Sequence, residues 1–477
     1  MLTKRQKFYY AICRFGSTIL LNMVFVATFW MYNNEVGLDP ILNGIGNAVG
    51  KLVIGISSVV FGYISDSLSS STSKLGRRKI FIWTGAPILA VSFLMLFTPQ
   101  FFIPESSEGW KFAWLIIWNA TFHLFYGYLL IPYQSWMPEI TTENERVDVS
   151  AYQNTVNLIG SAVGSGFIIV MSGFITDSPQ SILLSGFLSL NPQFITQSIF
   201  GPIAPQGIYG PTGTYLFVFA LAFAIIEILV FLPALFKIKE KPIINNEKRK
   251  IFEEIKVALK NRNYTIWIIS FTVLNIGVTI MTALLIDFLE QIVGVESALQ
   301  KTIFGGVMFL IVVLSFVFWS RFSKRFGKKW SLILSFSFLL VWMPTTPLVG
   351  IIPGIPPIIQ GYVFSGVAMF GVASAYLFPY AILADFADAD ERMTKENRSG
   401  LYTGFKSLPF NIAQAVGFLL AGFIRKWPDG LKWLGPIVTI FLVVAIPIIW
   451  QGDFDPFLKD ERVKKTSIFK QIFNRKD

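Results

Sequence analysis

The chain has 477 residues, of which 53% are hydrophobic and only 14% are charged. Soluble domains carry about 25% charged residues, so this composition excludes a soluble enzyme, a disordered chain and a secreted disulfide scaffold. A single cysteine, Cys13, and a single histidine, His123, exclude an intrachain disulfide and cysteine- or histidine-rich metal centres. The sequence therefore predicts a polytopic membrane protein without a metal site, a cofactor or catalytic residues.

Apolar runs long enough to cross a bilayer, about 20 residues each, recur twelve times along the chain. Each run must form a helix, because lipid offers the backbone no hydrogen-bond partner. The predicted spans are residues 8–32, 41–66, 79–102, 111–137, 149–175, 214–237, 265–292, 300–320, 330–349, 355–384, 400–424 and 432–450. The fold class is therefore all-α and integral to the membrane, with twelve transmembrane helices.

The distribution of lysine and arginine predicts the orientation. These residues cluster in the N-terminal tail, the loops after the second and eighth spans, the central loop and the C-terminal tail. The opposite loops carry only Lys111, Lys301, Arg425, Lys426 and Lys432. The positive-inside rule then places both termini in the cytoplasm of a cell membrane. This asymmetry and attraction to anionic membrane lipid explain the net charge of +11, so no nucleic-acid partner is expected.

The two halves of the chain repeat the same motifs. The segment SKLGRRK (73–79) follows the second span and KRFGKK (324–329) follows the eighth. Pro132-Tyr133 and Pro379-Tyr380 match at the same separation, about 250 residues. The repeat predicts two pseudo-symmetric six-helix bundles, 1–238 and 265–452, with a solute site between them near mid-membrane. A cytoplasmic linker, 239–264, joins the bundles, and a cytoplasmic tail, 453–477, follows them.

The loop 176–213 is uncharged after Asp177 and rich in Pro, Gly, Ile and Phe. Two interpretations of this loop stay open, a cap over the outer vestibule and a segment lying along the membrane surface.

Neutral polar side chains on several spans predict the solute site. A sugar needs hydrogen-bonding groups beside aromatic rings that stack on its apolar face. Lys51, buried in the second span, is costly in a membrane and is a further candidate, either as an anchor for the solute or in a structural ion pair. Hydrogen bonding between helices is the alternative role for the neutral residues. The candidates are Thr18, Asn22, Lys51, Asn119, His123, Tyr126, Gln134, Asn154, Asn157, Asn275, Asn411 and Gln414.

Charged residues in or near the spans are candidates for coupling or gating. Asp66 with Arg77 and Arg78 predicts a cytoplasmic latch, and Asp385 with Arg398 its counterpart in the second half. The alternative is that the basic residues serve orientation alone. Glu227 in the sixth span is a candidate proton carrier or a hydrogen-bonded structural residue. Asp287 and Lys406, near the ends of the seventh and eleventh spans, are further candidates for gating.

Three motifs resemble the major facilitator superfamily, specifically its glycoside–pentoside–hexuronide:cation symporters, which include melibiose permease. They are GYISD (62–66) with SKLGRRK (73–79), PYQSWMPE (132–139), and PYAILAD (379–385) with RSGLY (398–402). The resemblance implies twelve helices, alternating access and a glycoside solute.

The sequence departs from that family at the positions of its charged site residues. The aspartates that bind the cation in melibiose permease fall on Ile54, Ser58 and Leu130, and its sugar-binding aspartate falls on Thr18. Other charged family positions fall on Asn411 and Asn154, and Lys51 alone keeps its charge. Sodium prefers several oxygen ligands that include carboxylates, so any coupling ion is expected to be a proton.

The sequence therefore predicts a monomeric secondary active transporter of a small neutral polyhydroxylated solute, a sugar or glycoside. The alternatives within transport are a lipid-like or organic-acid solute and facilitative uniport. An integral-membrane enzyme or a receptor is a more distant alternative, and no nucleophile or metal motif supports an enzyme.

Overall fold

The computed structural model describes residues 2–68, 76–104, 106–141, 145, 148–150, 152–161, 163–164, 210–240, 256, 259–295, 297–394 and 405–456. All regular secondary structure in these ranges is helical. The first half contributes α1 (Lys4–Asn34), α2 (Pro40–Ser67), α3 (Lys79–Leu96), α4 (Glu108–Ile140), α5 (helical residues 152–161) and α6 (Gly210–Lys237). The second half contributes α7 (Arg262–Phe288), α8 (Ala298–Phe326), α9 (Lys328–Trp342), α10 (Pro357–Leu377, continued by Pro379–Thr394), α11 (Ser407–Lys426) and α12 (Leu434–Gln451).

Eleven of these helices are long and apolar enough to cross a membrane. The fifth predicted span, 149–175, is described only as far as residue 164, and most of the loop 176–213, the linker and the tail fall outside the described residues. Some boundaries differ from the prediction. The third helix ends at Leu96 and a 3-10 turn, Pro99–Phe101, follows it, while the eleventh helix is assigned only from Ser407.

Polar residues in the sequence set several helix starts. Thr3 and Gln6 form a capping box at the start of α1, and Ser297 and Gln300 form another before α8. Asp39 accepts hydrogen bonds from the amides of Ile41 (2.9 Å) and Leu42 (3.4 Å) at the start of α2. These caps satisfy amides that have no partner within the helix.

Each half has its own apolar core. Leu20, Phe93 and Phe122 belong to the core of the first half, and Trp267 and Leu442 to that of the second. The outward faces are apolar as well, for example at Leu310 and Leu314 of α8 and Ile440 of α12, all of which are exposed. Apolar side chains on both faces of a helix are typical of a bundle that is surrounded by lipid.

The repeated motif of the first half builds a clasp at the start of α3. Gly76 adopts a φ of 106°, a conformation that favours glycine. The carboxylate of Glu240, just after α6, accepts hydrogen bonds from the amides of Arg78 (2.8 Å) and Lys79 (2.7 Å). The ammonium of Lys79 donates to the carbonyl of Leu235 at 2.7 Å. A carboxylate at a helix N-terminus is favoured by the helix dipole, so the end of α6 is tied to the start of α3.

The second half builds the same clasp from different residues. Gly327 has a φ of 95°. Asp455, just after α12, accepts hydrogen bonds from the amides of Lys328 (2.7 Å) and Lys329 (3.0 Å), and the Lys329 ammonium donates to the carbonyl of Trp450 at 2.6 Å. The repeat seen in the sequence is therefore a structural repeat, and the two six-helix bundles are pseudo-symmetric.

The halves meet along α2 and α11 and along α1 and α7. Gly44 of α2 lies so close to α11 that a Cβ at this position would be 2.6 Å from the carbonyl oxygen of Phe418. We call the end of the bundle that carries Lys4 and Gln451 the terminal side, and the opposite end, which carries Asn34 and Leu434, the distal side. The charge rule predicts that the terminal side is cytoplasmic.

Candidate functional site

Side chains of α1 and α5 form a polar ladder inside the first half. Asn157 accepts hydrogen bonds at its Oδ1 from the Thr18 hydroxyl (2.6 Å) and from the Arg14 guanidinium (3.3 Å). Asn22, one turn further along α1, donates to the hydroxyl of Ser161 at 3.3 Å. The structure thus brings together three predicted site residues, Thr18, Asn22 and Asn157, and adds Arg14 as their cation.

Lys51 lies on the face of α2 that is directed at the second half. It shares this face with Gly44 and with Gly55, whose neighbours are Leu408 and Asn411 of α11. The side chain is 4% exposed, and its Nζ lies 4.5 Å from the ring centroid of Phe25. Within the described residues no carboxylate pairs with this ammonium.

The energy of that contact is too small to compensate for burial. A cation over an aromatic ring gains about 0.5–2 kcal/mol, whereas burying an unpaired ammonium costs several kcal/mol. Phe25 packs edge-on against Phe418 of α11, with centroids 5.7 Å apart. Lys51 is therefore an incompletely paired cation at the interface between the halves, which is where an alternating-access transporter binds its solute.

Asn119 and His123 of α4 occupy the contact between α4 and α2. Asn119 donates to the Gly46 carbonyl at 3.1 Å, and His123 Nδ1 lies 2.9 Å from the Asn119 carbonyl. A carbonyl accepts only from a protonated nitrogen, so Nδ1 carries the hydrogen. Both side chains are fully buried, and Tyr126 on the same face is 8% exposed. Helix packing accounts for the contacts of Asn119 and His123.

The remaining predicted solute contacts lie on four helices. Asn275 of α7 and Asn411 of α11 each donate only to their own helix, to the carbonyls of Phe271 and Ser407 at 2.7 Å. Three other amides make no hydrogen bond with the described residues and are partly or fully exposed: Gln134 of α4, Asn154 of α5 and Gln414 of α11. These amides have donors and acceptors left for a solute.

At the distal side, polar side chains join the two halves. Asn34 of α1 donates to Asp287 at 3.0 Å and accepts from Arg425 at 3.3 Å, and Arg425 Nε lies 3.2 Å from Asp287. Lys426 pairs with Asp39 at 2.6 Å. We call these five residues the distal lock. Because its members come from both halves, the two halves are closed on each other at the distal side.

Two carboxyl groups of this region have shifted pKa values. Burial disfavours ionisation of Asp39, but the ammonium of Lys426 and the amides of Ile41 and Leu42 outweigh it and lower the pKa. Burial raises the pKa of Glu35, and the nearby carboxylate of Glu290 raises it further, although Lys301 opposes the shift. Glu290 itself accepts from Lys301 at 2.6 Å and from Trp30 of the other half at 3.3 Å.

The terminal side of the first half contains an arginine pair with a carboxylate partner that the sequence did not identify. Arg77 and Arg78 both pair with Glu139 at the end of α4, Arg78 at 2.5 Å. Arg78 also donates to the Ser65 hydroxyl at 2.7 Å. The side chain of Asp66 lies outside the described residues, so its part in the predicted latch stays a prediction. Glu139 was missed because only the fold brings α4 to the start of α3.

In the second half Asp385 pairs with Lys328, next to the clasp of Asp455. Its predicted partner, Arg398, lies outside the described residues. Lys406 immediately precedes α11 and is half-buried. On the terminal side each half thus has a carboxylate between helices. Its partners among the described residues are two arginines in the first half and a lysine in the second.

The positions of the family's cation site are apolar or occupied locally. Ile54 is 7% exposed, Leu130 is 1% exposed, and the Ser58 hydroxyl donates to the Ile54 carbonyl at 2.7 Å. Among the described residues, no group of three or more His, Cys, Asp or Glu side chains is placed to hold a metal ion.

Comparisons with known proteins agree with this architecture. A family model described as MFS/sugar transport protein matches residues 9–426. An uncharacterised symporter of Synechocystis sp. is 23% identical, with 92% of both chains covered. The isoprimeverose transporter of Lactiplantibacillus pentosus is 20% identical over 89% of this chain and 80% of its own. The sodium-dependent lysophosphatidylcholine symporter 1 of Gallus gallus is 21% identical over 86% and 77%.

The fold has a solved counterpart as well. A bacterial homologue of the lysosomal transporter Spinster, inward-facing and occupied, superposes with a TM-score of 0.63 at 14% identity, covering 93% of this chain and 95% of that one. With the family match spanning most of the sequence, and with transporters rather than enzymes among these relatives, the chain belongs to the MFS/sugar transport protein family.

Proposed function

We propose that this protein is a secondary active transporter of a small, neutral, polyhydroxylated solute, a sugar or glycoside, and that it works by alternating access. The observation that carries the proposal is the set of neutral amides around the contact between the halves. Asn275, Asn411 and Gln414 make no side-chain hydrogen bond beyond their own helix with the described residues. Amides both donate and accept, which matches hydroxyl groups that do the same.

The closed distal side supports the alternating-access part of the proposal. Besides the packing of α2 on α11, the distal lock joins the halves through side-chain hydrogen bonds and ion pairs, which can break and re-form when one half rocks against the other. The name of the isoprimeverose transporter supports a sugar as the solute, because that relative covers most of both chains.

A second candidate is an organic anion or a lipid-like solute with an acidic headgroup. Lys51 favours it, because a solute oxyanion would supply the charge partner that this ammonium lacks among the described residues. The lysophosphatidylcholine symporter among the relatives supports the same candidate.

One experiment separates the two candidates. Purified protein is screened by thermal shift against isoprimeverose, a hexuronic acid and lysophosphatidylcholine, and each stabilising compound is then tested for uptake in proteoliposomes. A neutral sugar as substrate is expected to stabilise the wild type, and Lys51→Met is expected to retain part of that stabilisation. Stabilisation by the acid or the lysolipid alone, lost in Lys51→Met, would replace the sugar by the anion. Equal behaviour of all three compounds and no uptake would contradict both candidates.

A further inference from the structure

The buried carboxyl group of Glu227 lies outside the polar solute site and is unexplained by it. It occupies the middle of α6 and is 0% exposed. Its Oε1 lies 2.7 Å from the hydroxyl of Ser17 on α1, and its Oε2 has no hydrogen-bond partner among the described residues. Carboxylates in the interior of a membrane protein are costly and usually serve a function.

The hydrogen bonds around Ser17 fit a protonated acid better than a carboxylate. Ser17 Oγ lies 2.7 Å from Glu227 and 3.5 Å from the carbonyl oxygen of Cys13, and its one hydrogen can serve only one of them. If Glu227 carries a proton, the acid donates to Ser17, and Ser17 donates to Cys13. If Glu227 is ionised, the Ser17 hydroxyl donates to the carboxylate instead of to Cys13. The two oxygens of the buried carboxylate then share a single hydrogen bond from the protein.

Among the described residues, few charged or titratable groups face Glu227 from the helices around it. On α1 these are Cys13 and Arg14, which lie about one turn of the helix before Ser17, the residue bonded to Glu227. Helix α3 has no ionisable residue after Lys79, and on α4 Tyr133 packs on Phe231, one turn further along α6. Arg14 is therefore the cation that responds to the charge state of Glu227.

Arg14 also touches the solute site. Its guanidinium donates to Asn157, which accepts from Thr18 as well. A single side chain thus lies between the buried acid and the polar ladder of α1 and α5.

We propose that Glu227 is the proton-binding site of this transporter and that Arg14 links its protonation to solute binding. This inference rests on the proposed transport function. While Glu227 is neutral, Arg14 stays with Asn157 and holds the ladder in the arrangement seen here. When Glu227 loses its proton to water, the carboxylate attracts Arg14 away from Asn157. A solute that binds the ladder then favours protonation of Glu227, and the proton and the solute travel together.

The first test needs no solute. Infrared difference spectra of the purified protein in lipid vesicles are recorded between acid and alkaline pH. A carboxylic C=O band present at pH 7 in the wild type and absent in Glu227→Gln is expected, with Asp429→Asn as the matched control that keeps the band. Identical wild-type and Glu227→Gln spectra would overturn the proposal whatever the solute is.

Ser17→Ala keeps the inference testable if Glu227→Gln fails to fold. It leaves the acid in place but removes its hydrogen-bond partner, so the band is expected to move to higher frequency. An unmoved band would mean that the protonated acid is not the one bonded to Ser17. Arg14→Gln is expected to keep the band at higher pH than in the wild type, and an unchanged titration would remove Arg14 from the link.

The second test measures whether protons move together with the solute. Vesicles loaded with a pH-sensitive dye are exposed to isoprimeverose, and wild-type protein is expected to acidify the lumen while Glu227→Gln moves the sugar without acidification. Acidification by Glu227→Gln at the wild-type rate would overturn the coupling role. If the wild type moves no isoprimeverose, the sugar proposal fails, and the infrared band still decides the protonation of Glu227.

Discussion

Asn34→Ala tests whether the distal lock holds the two halves together. The side chain exchanges two hydrogen bonds with charged groups of the second half, at 3.0 Å with Asp287 and at 3.3 Å with Arg425. Bonds to charged groups contribute about 1.5–3 kcal/mol, but Asn34 is exposed, so we take about 1 kcal/mol for each. Asp287 keeps Arg425 as its partner in the variant, so no buried charge is orphaned.

A loss of about 2 kcal/mol lowers the ratio of distal-closed to distal-open molecules about 30-fold, since 1.4 kcal/mol corresponds to a factor of ten. The ratio is measured by single-molecule FRET between dyes at Trp110→Cys and Ile351→Cys, positions that are 66% and 62% exposed at the distal side. The single native cysteine, Cys13, is buried, so background labelling is low.

Lys432→Ala is the matched control. It breaks an exposed ion pair with Asp429 that lies wholly within the second half, and it is expected to leave the distance distribution unchanged. If Asn34→Ala leaves the distribution unchanged as well, the distal contacts do not hold the closed state and the reasoning above is wrong.

Three further changes probe the fold and the distal lock. Asp455→Ala removes two hydrogen bonds from the start of α9 and is expected to cost about 1–2 kcal/mol, measured as a lower thermal unfolding temperature. Gly44→Ala places a Cβ 2.6 Å from the Phe418 carbonyl and should separate α2 from α11, seen as a longer FRET distance. In the closed structure burial and Glu290 of the other half raise the pKa of Glu35, so lowering the pH from 7 toward its ordinary value of 4.5 should favour the closed state, and Glu35→Gln should abolish that response.

Hydropathy and the internal repeat predicted the fold well because a membrane imposes simple rules on a chain. Apolar length fixes the spans, and the repeated glycine-basic motifs predicted the two halves. The structure adds the reason for the repeat, since Glu240 and Asp455 close equivalent clasps in the two halves. Both carboxylates lie beyond the repeated motifs themselves, so the motif comparison did not detect them.

The site was less predictable, because side-chain roles depend on which helices become neighbours. Helical spacing placed Asn119 and His123 on one face of α4, but it gave no indication that α2 covers this face. Likewise, Arg77 and Arg78 revealed a need for a carboxylate, and Glu139 supplies it from a helix that is distant in sequence. Thr18 and Asn157 were predicted separately, and only the structure shows that they are hydrogen-bonded to each other and that Arg14 donates to Asn157 as well.

Without a solute, Lys51 and the distal lock have opposite effects on the equilibrium: the buried ammonium of Lys51 favours distal opening, and the lock favours distal closure. Lys51 lies in the contact between α2 and α11, so separating these helices hydrates its ammonium, whereas distal closure buries it without a described counter-charge. That burial costs several kcal/mol, and the side-chain bonds of the lock contribute about 1 kcal/mol each, so the two effects nearly cancel. A solute that bonds to Lys51 only in the closed state then shifts the equilibrium towards distal closure. Lys51→Met is expected to raise the distal-closed population without solute and to weaken its response to added solute, both measured with the FRET pair above. An empty variant that opens more than the wild type would show that Lys51 stabilises closure, and this balance would have to be abandoned.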